Sequence, residues 1–436
     1  MKKIFVFLLA AIVCSPGSFA QAVKPVPPNV AGPTTSAQAD SIVTDDRGSG
    51  RVVVGSAHRL TPLSKYNVVC DGTTNTTTAI NAAFAAAVSS GEKLTGQDLT
   101  CAVAGSITVP NGLWLQDITI KQLTPTAEGG NVRTLVKGEA TGPFTFIRVK
   151  VNRNGSPIDA TSPNKAAGIW LAGRGGVPSM LGVYLEDVEV YGDGPGRGIL
   201  VDAAISPQII NPYVHDMRWQ AESDPLTEQI FGLGVGRSSN SYILNPKIQN
   251  LTGKIASGSF LPYQTDGIGI GGAINATVIG GTVSNVGEAA DTAGTFLSTG
   301  VWYYGTVLRN IGSHGLKYGN IQQSGAVGIR CYDVGLRCVV TGAKVAMQGK
   351  DLRFDDIIAY NMGSSGVWPS PIGFAVEWDG GVVVPSNIQC NNCSAIDYVG
   401  NMAYGFLADP GVSDAFKLTN SYVYGGTSGK YSGISP

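Results

Sequence analysis

A short phrase recurs along this chain: a glycine, an aliphatic residue, any residue and then a second apolar residue. Between the copies lie turns rich in Asn and Gly and a second short apolar strand, as in residues 241–248 and 277–283. Self-similarity built from strands and turns, with no helix in the unit, is typical of a solenoid. Stacked strands pair their backbone groups with the turn of chain above or below, so the phrase predicts a parallel β-helix. The copies begin at Gly168, Gly182, Gly198, Gly232, Gly267, Gly300, Gly315 and Gly328.

The composition agrees with this all-β prediction. A chain of 436 residues is long for an ordinary single domain, but the core of a solenoid grows in one dimension and escapes that limit. The 59 glycines and the charged fraction of only 14% favour a compact, turn-rich extracellular protein and exclude a coiled coil or a disordered chain.

Residues 1–20 have the pattern of a secretory signal peptide. Lys2 and Lys3 are followed by a short apolar run over 4–13 and by a small-residue cleavage site that ends at Ala20. The run is too short to span a bilayer, so we expect a secreted protein, periplasmic or extracellular, with no membrane span. Removal of the two lysines leaves 28 basic and 31 acidic residues, and this near-neutral chain predicts no nucleic-acid partner.

Six cysteines remain after cleavage: Cys70, Cys101, Cys331, Cys338, Cys390 and Cys393. The first two flank the only good helical segment, and we predict a disulfide between Cys70 and Cys101. The middle two bracket a turn and can pair across a corner. Cys390 and Cys393 have the spacing of half a zinc site, but no second CxxC exists and no histidine is close in sequence. A local disulfide or two stacked core thiols is therefore favoured there.

The rest of the chain divides into an extended arm or linker at 21–65 and a β-helix domain at 66–436. The first part of this domain, 66–103, is predicted as an N-terminal cap: a strand at 66–69, then a helix that Asn75 or Thr76 caps and Gly91 ends. An amphipathic helix there would seal the open apolar end of the solenoid. Its predicted apolar face contains Ala79, Ile80, Ala83, Phe84, Ala87 and Val88.

The pattern of strands and turns has four longer corners. In a solenoid, lengthened corners gather around the working groove, so these segments are expected to border it. The corners lie near 152–166, 219–230, 252–265 and 286–299.

The segment from Asp71 to Ala83, which begins Asp-Gly-Thr-Thr-Asn, resembles the N-terminal cap of the pectin-lyase-like superfamily. That superfamily includes pectate lyases, polygalacturonases and tailspike depolymerases, and the resemblance covers about residues 66–424. It implies a single-stranded right-handed parallel β-helix and a polysaccharide substrate. It leaves the chemistry open, because the superfamily also contains epimerases, adhesins and inert spike proteins.

A second resemblance concerns polygalacturonase-type hydrolases, which use an Asn-Thr-Asp-Gly segment, a pair of aspartates, a Gly-His-Gly and an Arg-x-Lys. This chain has Asp266 in a Gln-Thr-Asp-Gly segment and His314 in a Ser-His-Gly segment, each directly before a copy of the phrase. The resemblance implies that both side chains face one groove. The aspartate pair is missing, Asp291 is the only aspartate between the two motifs, and no Arg-x-Lys follows, although Lys350 and Arg353 lie in that region.

The alternative chemistry of such a groove is β-elimination on a uronic acid. It requires a cation that neutralises the substrate carboxylate and a base that removes the neighbouring proton. His314 or Tyr332 would act as base or acid, Arg330 would hold the carboxylate, and Lys317 is a further neutralising candidate. Because the paired carboxylates are absent while basic groups cluster, we expect a lyase acting on an acidic polysaccharide rather than a hydrolase.

Two groups of side chains are candidates for substrate binding. One group, His215, Arg218 and Trp219, precedes a long corner and could equally be a solvated loop. The other consists of aromatic residues near the expected groove that could form a sugar platform or could pack in the core. These aromatic residues are Trp302, Tyr304 and Tyr263.

A non-catalytic carbohydrate-binding or surface-structural β-helix is the remaining alternative. Its support is the weakness of each motif and the low content of charged residues. The acidic residues are scattered without a loop dense in oxygen ligands, so we predict no metal site and no cofactor, and the sequence gives no support for calcium. The sugar, its linkage, the dependence on calcium and the oligomeric state stay open.

Overall fold

The computed structural model describes residues 60–123, 133–154, 167–194, 196–221, 230–255, 265–292, 296–341, 349–363, 370–378, 384–434. The predicted signal peptide and most of the predicted arm lie outside these residues, as do large parts of three of the predicted long corners and residues 293–295 of the fourth. Within them, no helix is both long enough and apolar enough to cross a membrane.

The described residues contain one α-helix, α1 (Thr77–Ser90), and short 3-10 helices at Leu63–Tyr66, Arg174–Gly176 and Ser413–Ala415. The remaining elements are strands: β1 (Thr61–Pro62), β2 (Asp71–Asn75), β3 (Leu94–Val103), β4 (Ile107–Thr108), β5 (Trp114–Gln122), β6 (Arg133–Ala140), β7 (Phe144–Asn152), β8 (Ala167–Gly173), β9 (Met180–Leu181), β10 (Val183–Glu186), β11 (Glu189–Tyr191), β12 (Arg197–Asp202), β13 (Ala204–Ile205), β14 (Gln208–Ile210), β15 (Tyr213–Ala221), β16 (Ile230–Gly236), β17 (Tyr242–Leu244), β18 (Lys247–Ile255), β19 (Thr265–Gly271), β20 (Thr277–Ile279), β21 (Thr282–Val286), β22 (Glu288–Asp291), β23 (Ser298–Thr299), β24 (Trp302–Tyr304), β25 (Val307–Ile311), β26 (His314–Tyr318), β27 (Ile321–Val327), β28 (Arg330–Val334), β29 (Arg337–Thr341), β30 (Gly349–Asp355), β31 (Ile358–Tyr360), β32 (Ile372–Val376), β33 (Ser386–Asn391), β34 (Ser394–Ile396), β35 (Tyr404–Ala408), β36 (Phe416–Thr419), β37 (Tyr422–Tyr424) and β38 (Gly429–Ser432).

These strands stack into a single-stranded right-handed parallel β-helix, as the sequence predicts. One sheet of twelve strands, which we call face 1, runs from β4 to β38 and contains β16, β19, β22, β26 and β29 side by side. A larger sheet folds into two further ladders that share the long strands β3, β5 and β7. We call the ladder of β10, β14, β17, β20, β24, β27, β30, β33 and β36 face 2, and the ladder of β11, β15, β18, β21, β25, β28, β31, β34 and β37 face 3.

The recurring glycine phrase marks two different places in this architecture. Five copies lie within face-1 strands, where an added Cβ would collide with the core or with the next strand: Gly168, Gly198, Gly232, Gly267 and Gly315. Three copies have a left-handed φ of +65° to +69° and turn the chain into strands of faces 2 and 3: Gly182, Gly300 and Gly328. Copies of the phrase therefore do not all share one face.

The N-terminal helix has the predicted position. Ile80 and Phe84 of α1 are fully buried in the main core, the Asn75 side chain accepts a hydrogen bond from the N–H of Thr77 at 3.2 Å, and Gly91 ends the helix at φ 69°. The predicted strand at 66–69 is wrong, because the chain leaves the 3-10 helix Leu63–Tyr66 through a left-handed residue, Asn67. Since β1 pairs with β3, the ordered fold has begun by residue 61, within the segment predicted as an arm.

The three cysteine pairs are disulfides: Cys70–Cys101, Cys331–Cys338 and Cys390–Cys393. The first confirms the predicted bond beside the cap. The last settles the open choice at residues 390–393 in favour of a local disulfide, so these sulfurs do not form half of a zinc site.

Asparagines at the corners explain why this residue type is frequent between the strands. Asp216, Asn250, Asn285 and Asn310 stand at successive turns with left-handed φ values of 49° to 56°. Their side chains form a ladder, since the amide of each asparagine donates to the side-chain oxygen of the residue one turn before it, at 2.7 to 3.4 Å. Asn and Asp tolerate this conformation because their short side chains make local hydrogen bonds.

Candidate functional site

The register of face 1 brings distant residues of the sequence into one column. Asp266 of β19 pairs with Glu288 of β22, and the pairing of Ala290 with Leu316 places His314 of β26 next in line. A second outward column lies three residues further along these strands and holds Asp291 and then Lys317, while Ala290 and Leu316 between the two columns are buried in the core. We call these five residues, Asp266, Glu288, Asp291, His314 and Lys317, the acidic cluster.

The acidic cluster lies where the turns between neighbouring described face-1 strands are shortest. Register partners on face 1 are 35 residues apart between β16 and β19, as for Leu233 and Ile268. The separation falls to 22 residues from Ile268 to Ala290 and to 26 from Ala290 to Leu316. It returns to 35 from Val339 to Phe374.

Three carboxyl groups meet in the cluster. Oxygen atoms of Asp266, Glu288 and Asp291 all lie within 4.8 Å of one another. The Nζ atom of Lys317 donates to Glu288 Oε2 at 2.9 Å and to Oε1 at 3.2 Å, and it lies 3.6 Å from Asp291 Oδ2. Nδ1 of His314 lies 3.2 Å from Glu288 Oε1 and 3.0 Å from the hydroxyl of Ser313.

These contacts fix the charges of the two central groups. Burial alone would raise the pKa of Glu288, but the hydrogen bond with His314 and the ammonium of Lys317 hold it well below its usual range. Burial alone would lower the pKa of Lys317, and the charges of Asp291 and Glu288 instead raise it above its usual value. Glu288 is therefore ionised and Lys317 protonated at neutral pH.

The five side chains differ in access to solvent. Asp266 is 0% exposed, and Glu288 and Lys317 are each 5% exposed. The side chains of Asp291 and His314 retain 14% and 15% exposure. A ligand that approaches face 1 thus reaches Asp291 and His314 first, with the Glu288–Lys317 pair beneath them.

The three carboxylates form the geometry of a cation site, and Lys317 already supplies a cation there. Its ammonium lies within 3.6 Å of two of the three acids. Ca²⁺ takes six to eight oxygen ligands, whereas this cluster combines three carboxyl groups with a lysine and a histidine. The donor set therefore does not fit calcium.

On the β16 side of the cluster, apolar side chains cover two glycines of face 1. Phe231 precedes Asp266 in the first column, and a Cβ added to Gly269 would lie 2.6 Å from its ring, so the ring covers that glycine. Leu200 covers Gly234 in the same way, and Trp170 is the register partner of Leu200. Aromatic faces of this kind can pack against the apolar face of a sugar ring. The sequence analysis did not single out Trp170 or Phe231.

Only some of the predicted catalytic residues come together. Asp266, His314 and Lys317 belong to the acidic cluster. Arg330 and Tyr332 lie on β28 of face 3, a different sheet. There the guanidinium of Arg330 donates to the carbonyl oxygens of Ile329 and Asp356, and Tyr332 packs under Arg309 and against Tyr360.

The predicted binding residues are likewise spread over different faces. His215 and Arg218 lie on β15 of face 3, and Trp302 and Tyr304 lie stacked on β24 of face 2, with centroids 6.1 Å apart. Tyr263 and the side chain of Trp219 lie outside the described part of the chain.

Arg218 is ion-paired with Asp193 and borders a cleft of about 760 Å³ that Tyr191 and Asp216 also line. This cleft lies on face 3, like His215, and not on the face that carries the acidic cluster.

The sequence analysis missed Glu288. It searched for a pair of aspartates and found Asp291 alone, although Glu288 stands 22 residues after Asp266, one turn of the solenoid later. A search for either acid at the spacing of one turn would have found it.

No family model matches this chain, and no curated protein matches its sequence. Among solved structures, the Dettilon tailspike protein is 15% identical, with a TM-score of 0.46 over 84% of this chain and 68% of that chain. The A-module of the Azotobacter vinelandii mannuronan C-5 epimerase AlgE6 is 13% identical, with a TM-score of 0.44 over 86% and 97%. The endo-xylogalacturonan hydrolase of Aspergillus tubingensis is 13% identical, with a TM-score of 0.46 over 83% and 92%. What this chain has in common with these proteins is a parallel β-helix fold.

Proposed function

We propose that this protein is a secreted enzyme that hydrolyses glycosidic bonds of a polysaccharide at the acidic cluster. The observation that carries the proposal is the set of three carboxyl groups within 4.8 Å of one another, beside a lysine and a histidine, on the outer surface of face 1. Glycoside hydrolysis requires one carboxyl group that donates a proton and a second that acts as base or nucleophile.

The charges of the cluster favour one protonated and one ionised carboxyl group. Three carboxylates this close repel one another, and one ammonium offsets only one of the three charges. The cluster therefore favours retention of a proton, and Glu288 is the acid least able to hold it because its pKa is lowered. The retained proton is therefore assigned to the carboxyl groups of Asp266 and Asp291, which share it. Of these two, Asp291 is accessible to a substrate.

In the proposed reaction, Asp291 donates its proton to the glycosidic oxygen as the bond to the anomeric carbon breaks. Glu288, held ionised by Lys317 and oriented by His314, attacks the anomeric carbon and forms a covalent glycosyl-enzyme, because two carboxyl groups this close leave no room for a water between them. Asp291, now ionised, takes a proton from the water that hydrolyses this intermediate, which releases Glu288 as a carboxylate and returns Asp291 to its protonated form. Asp266 shares the retained proton with Asp291 and so positions that carboxyl group.

Hydrolysis is favoured over the β-elimination expected from the sequence. Elimination requires a cation free to neutralise a substrate carboxylate. Lys317 is 5% exposed and is held by Glu288 and Asp291, and Arg330 lies on a different face. The absence of paired carboxylates was the reason to expect a lyase, and Glu288 removes that reason.

A non-catalytic carbohydrate-binding protein is the second candidate. The observation in its favour is the burial of the Glu288–Lys317 pair, because a buried ion pair can serve a purely structural purpose.

Secretion is supported by the three disulfides, which persist in oxidising compartments.

The test is incubation of the purified chain with a broad panel of neutral and acidic polysaccharides. New reducing ends and the ultraviolet absorbance of unsaturated uronates are measured in parallel. Reducing ends without the ultraviolet signal, lost in Asp291→Asn and retained in the matched control Asp193→Asn, are the expected result. An ultraviolet signal would instead establish elimination, and turnover that survives Asp291→Asn would remove the acidic cluster from the mechanism.

A further inference from the structure

The acidic cluster offers no cation to a negatively charged sugar. Four basic residues lie on or directly after the face-1 strands β16, β19, β22, β26 and β29, and each is engaged: His314 contacts Glu288, and the other three are Lys317, Arg237 and Arg337. Lys317 binds Glu288 and Asp291, Arg237 pairs with Asp202, and Arg337 donates to Glu377 at 2.8 Å and to two carbonyl oxygens. Within this part of the described chain, every cation is thus already neutralised by an acid of the protein.

The outer surface beside the cluster is apolar on the β16 side, where Phe231 and Leu200 each pack over a glycine. On the β29 side, Arg337 is the register partner of His314, and Val340, the partner of Lys317, is fully buried. Because Arg337 is already paired with Glu377, an ionised sugar beside the cluster would face three acids and cations that acids of the protein already neutralise.

One further arginine lies at a greater distance. Arg197 stands two strands from Asp266 in the same column, about 10 Å away at the spacing of parallel strands, and packs over the ring of Phe231 at 5.3 Å. It is placed to contact a neighbouring sugar unit rather than the unit at the cluster.

The segments that connect these strands outside the described residues, 222–229, 256–264, 293–295 and 342–348, contain a single basic residue, Lys344, against three acids. The three acidic residues are Glu222, Asp224 and Glu228.

We infer that the sugar unit bound at the acidic cluster is uncharged, so that the substrate is a neutral polysaccharide at its cleavage position and not a polyuronate. This inference rests on the proposed function and names its substrate class. The physical reason is that a substrate carboxylate placed beside three protein carboxyl groups, with no cation of its own, would be repelled and would lose its hydration. A hydroxymethyl group in its place carries no such cost and can pack against Phe231.

The experiment uses pairs of polymers with the same linkage that differ only in charge. Each polyuronate, such as polygalacturonate or alginate, is compared with its carboxyl-reduced derivative, in which every uronosyl unit has become a neutral hexosyl unit. Neutral glycans of other linkages complete the panel, and the rate of formation of reducing ends is measured. We expect the cleaved polymers to be neutral, with at least about a tenfold faster rate than the charged partner of the same linkage. Equal or faster cleavage of a polyuronate overturns the inference while it leaves the hydrolase intact.

A binding measurement decides the inference even without turnover. Asp291→Asn, which removes the proposed acid and leaves the shape of the site, is titrated with neutral and uronic oligosaccharides from the same panel. Isothermal calorimetry should give at least tenfold tighter binding of a neutral oligosaccharide. Tighter binding of the uronic member, or binding of neither, overturns the inference. Absence of cleavage on the whole panel together with tight neutral binding would instead overturn only the hydrolytic function.

Discussion

Two groups of the same three residue types stand on different faces of this solenoid. On face 1, Glu288 binds Lys317 and His314, and on face 3, Glu189 binds Lys150 at 2.9 Å and His215 at 3.0 Å. The face-1 group is buried, whereas the Lys150 side chain is 51% exposed. The residue types alone therefore do not distinguish a reactive site from a surface ion pair.

Besides burial, the two groups differ in the number of further carboxyl groups around the glutamate. Glu288 has two further carboxyl groups within 4.8 Å, so face 1 concentrates negative charge. On face 3, His215 lies between Glu189 and Asp216, stacks on Tyr213 at 3.9 Å, and has its nitrogens occupied on both sides. Burial and the crowding of like charges are what perturb protonation; burial also acts on Glu189, but only face 1 brings three carboxyl groups within 4.8 Å of one another among the described residues. The variants below test this contrast.

The largest difference between the two faces is expected in the stability lost when the lysine of each group is replaced. Lys317→Met leaves Glu288 and Asp291 buried without their cation and should lower the free energy of unfolding by about 3–5 kcal/mol at neutral pH. Lys150→Met breaks a half-exposed pair and should cost about 1 kcal/mol or less. Urea unfolding of both variants measures the difference. Equal losses would mean that the face-1 pair is no more shielded from water than the face-3 pair.

The two glutamates should differ next in their effect on catalysis. Glu288→Gln keeps the shape of the side chain but cannot act as the nucleophile, and it should lower the rate of hydrolysis by about 10⁴-fold. Glu189→Gln should leave that rate within about twofold, because Glu189 lies on another face. Reducing-end kinetics on a cleaved polymer give both values. A loss in Glu189→Gln as large as that in Glu288→Gln would refute the assignment of face 1.

A third expected effect is a pH dependence in the stability of Lys317→Met. In the wild type, the lowered pKa of Glu288 contributes stability that is complete above about pH 4.5 and is lost as the pH falls through the lower folded pKa. In Lys317→Met, burial without the ammonium raises the pKa of the same carboxyl, so its protonation on acidification relieves a penalty. The gap between wild type and variant should therefore narrow by about 1 kcal/mol or more between pH 7 and pH 4. Urea unfolding at both pH values measures it, and a gap that widens on acidification would contradict the ionised state assigned to Glu288.

The sequence could predict the features that depend on local patterns, but not those that depend on the register of the strands. The capping helix, the bond between Cys70 and Cys101, and the shared groove of Asp266 and His314 followed from local patterns that survive folding unchanged. The grouping of His314 with Arg330 failed because the turns between neighbouring face-1 strands vary from 22 to 35 residues, so sequence distance does not give the face. Only the register of the strands assigns Arg330 to face 3.

The smallest expected effect concerns salt. Double-mutant cycles of Lys317 with Glu288 and of Lys150 with Glu189 isolate the coupling energy of each pair. At 1 M salt the screening length is about 3 Å, so the coupling on face 3, about 0.2–1 kcal/mol at low salt, should fall below detection. The pair on face 1 is 5% exposed at both residues and should keep most of its coupling, because mobile ions cannot come between the charges. If both couplings vanish together, water and ions reach Glu288 as freely as Glu189, and the carboxyl groups of face 1 would then have no reason to retain a proton at neutral pH.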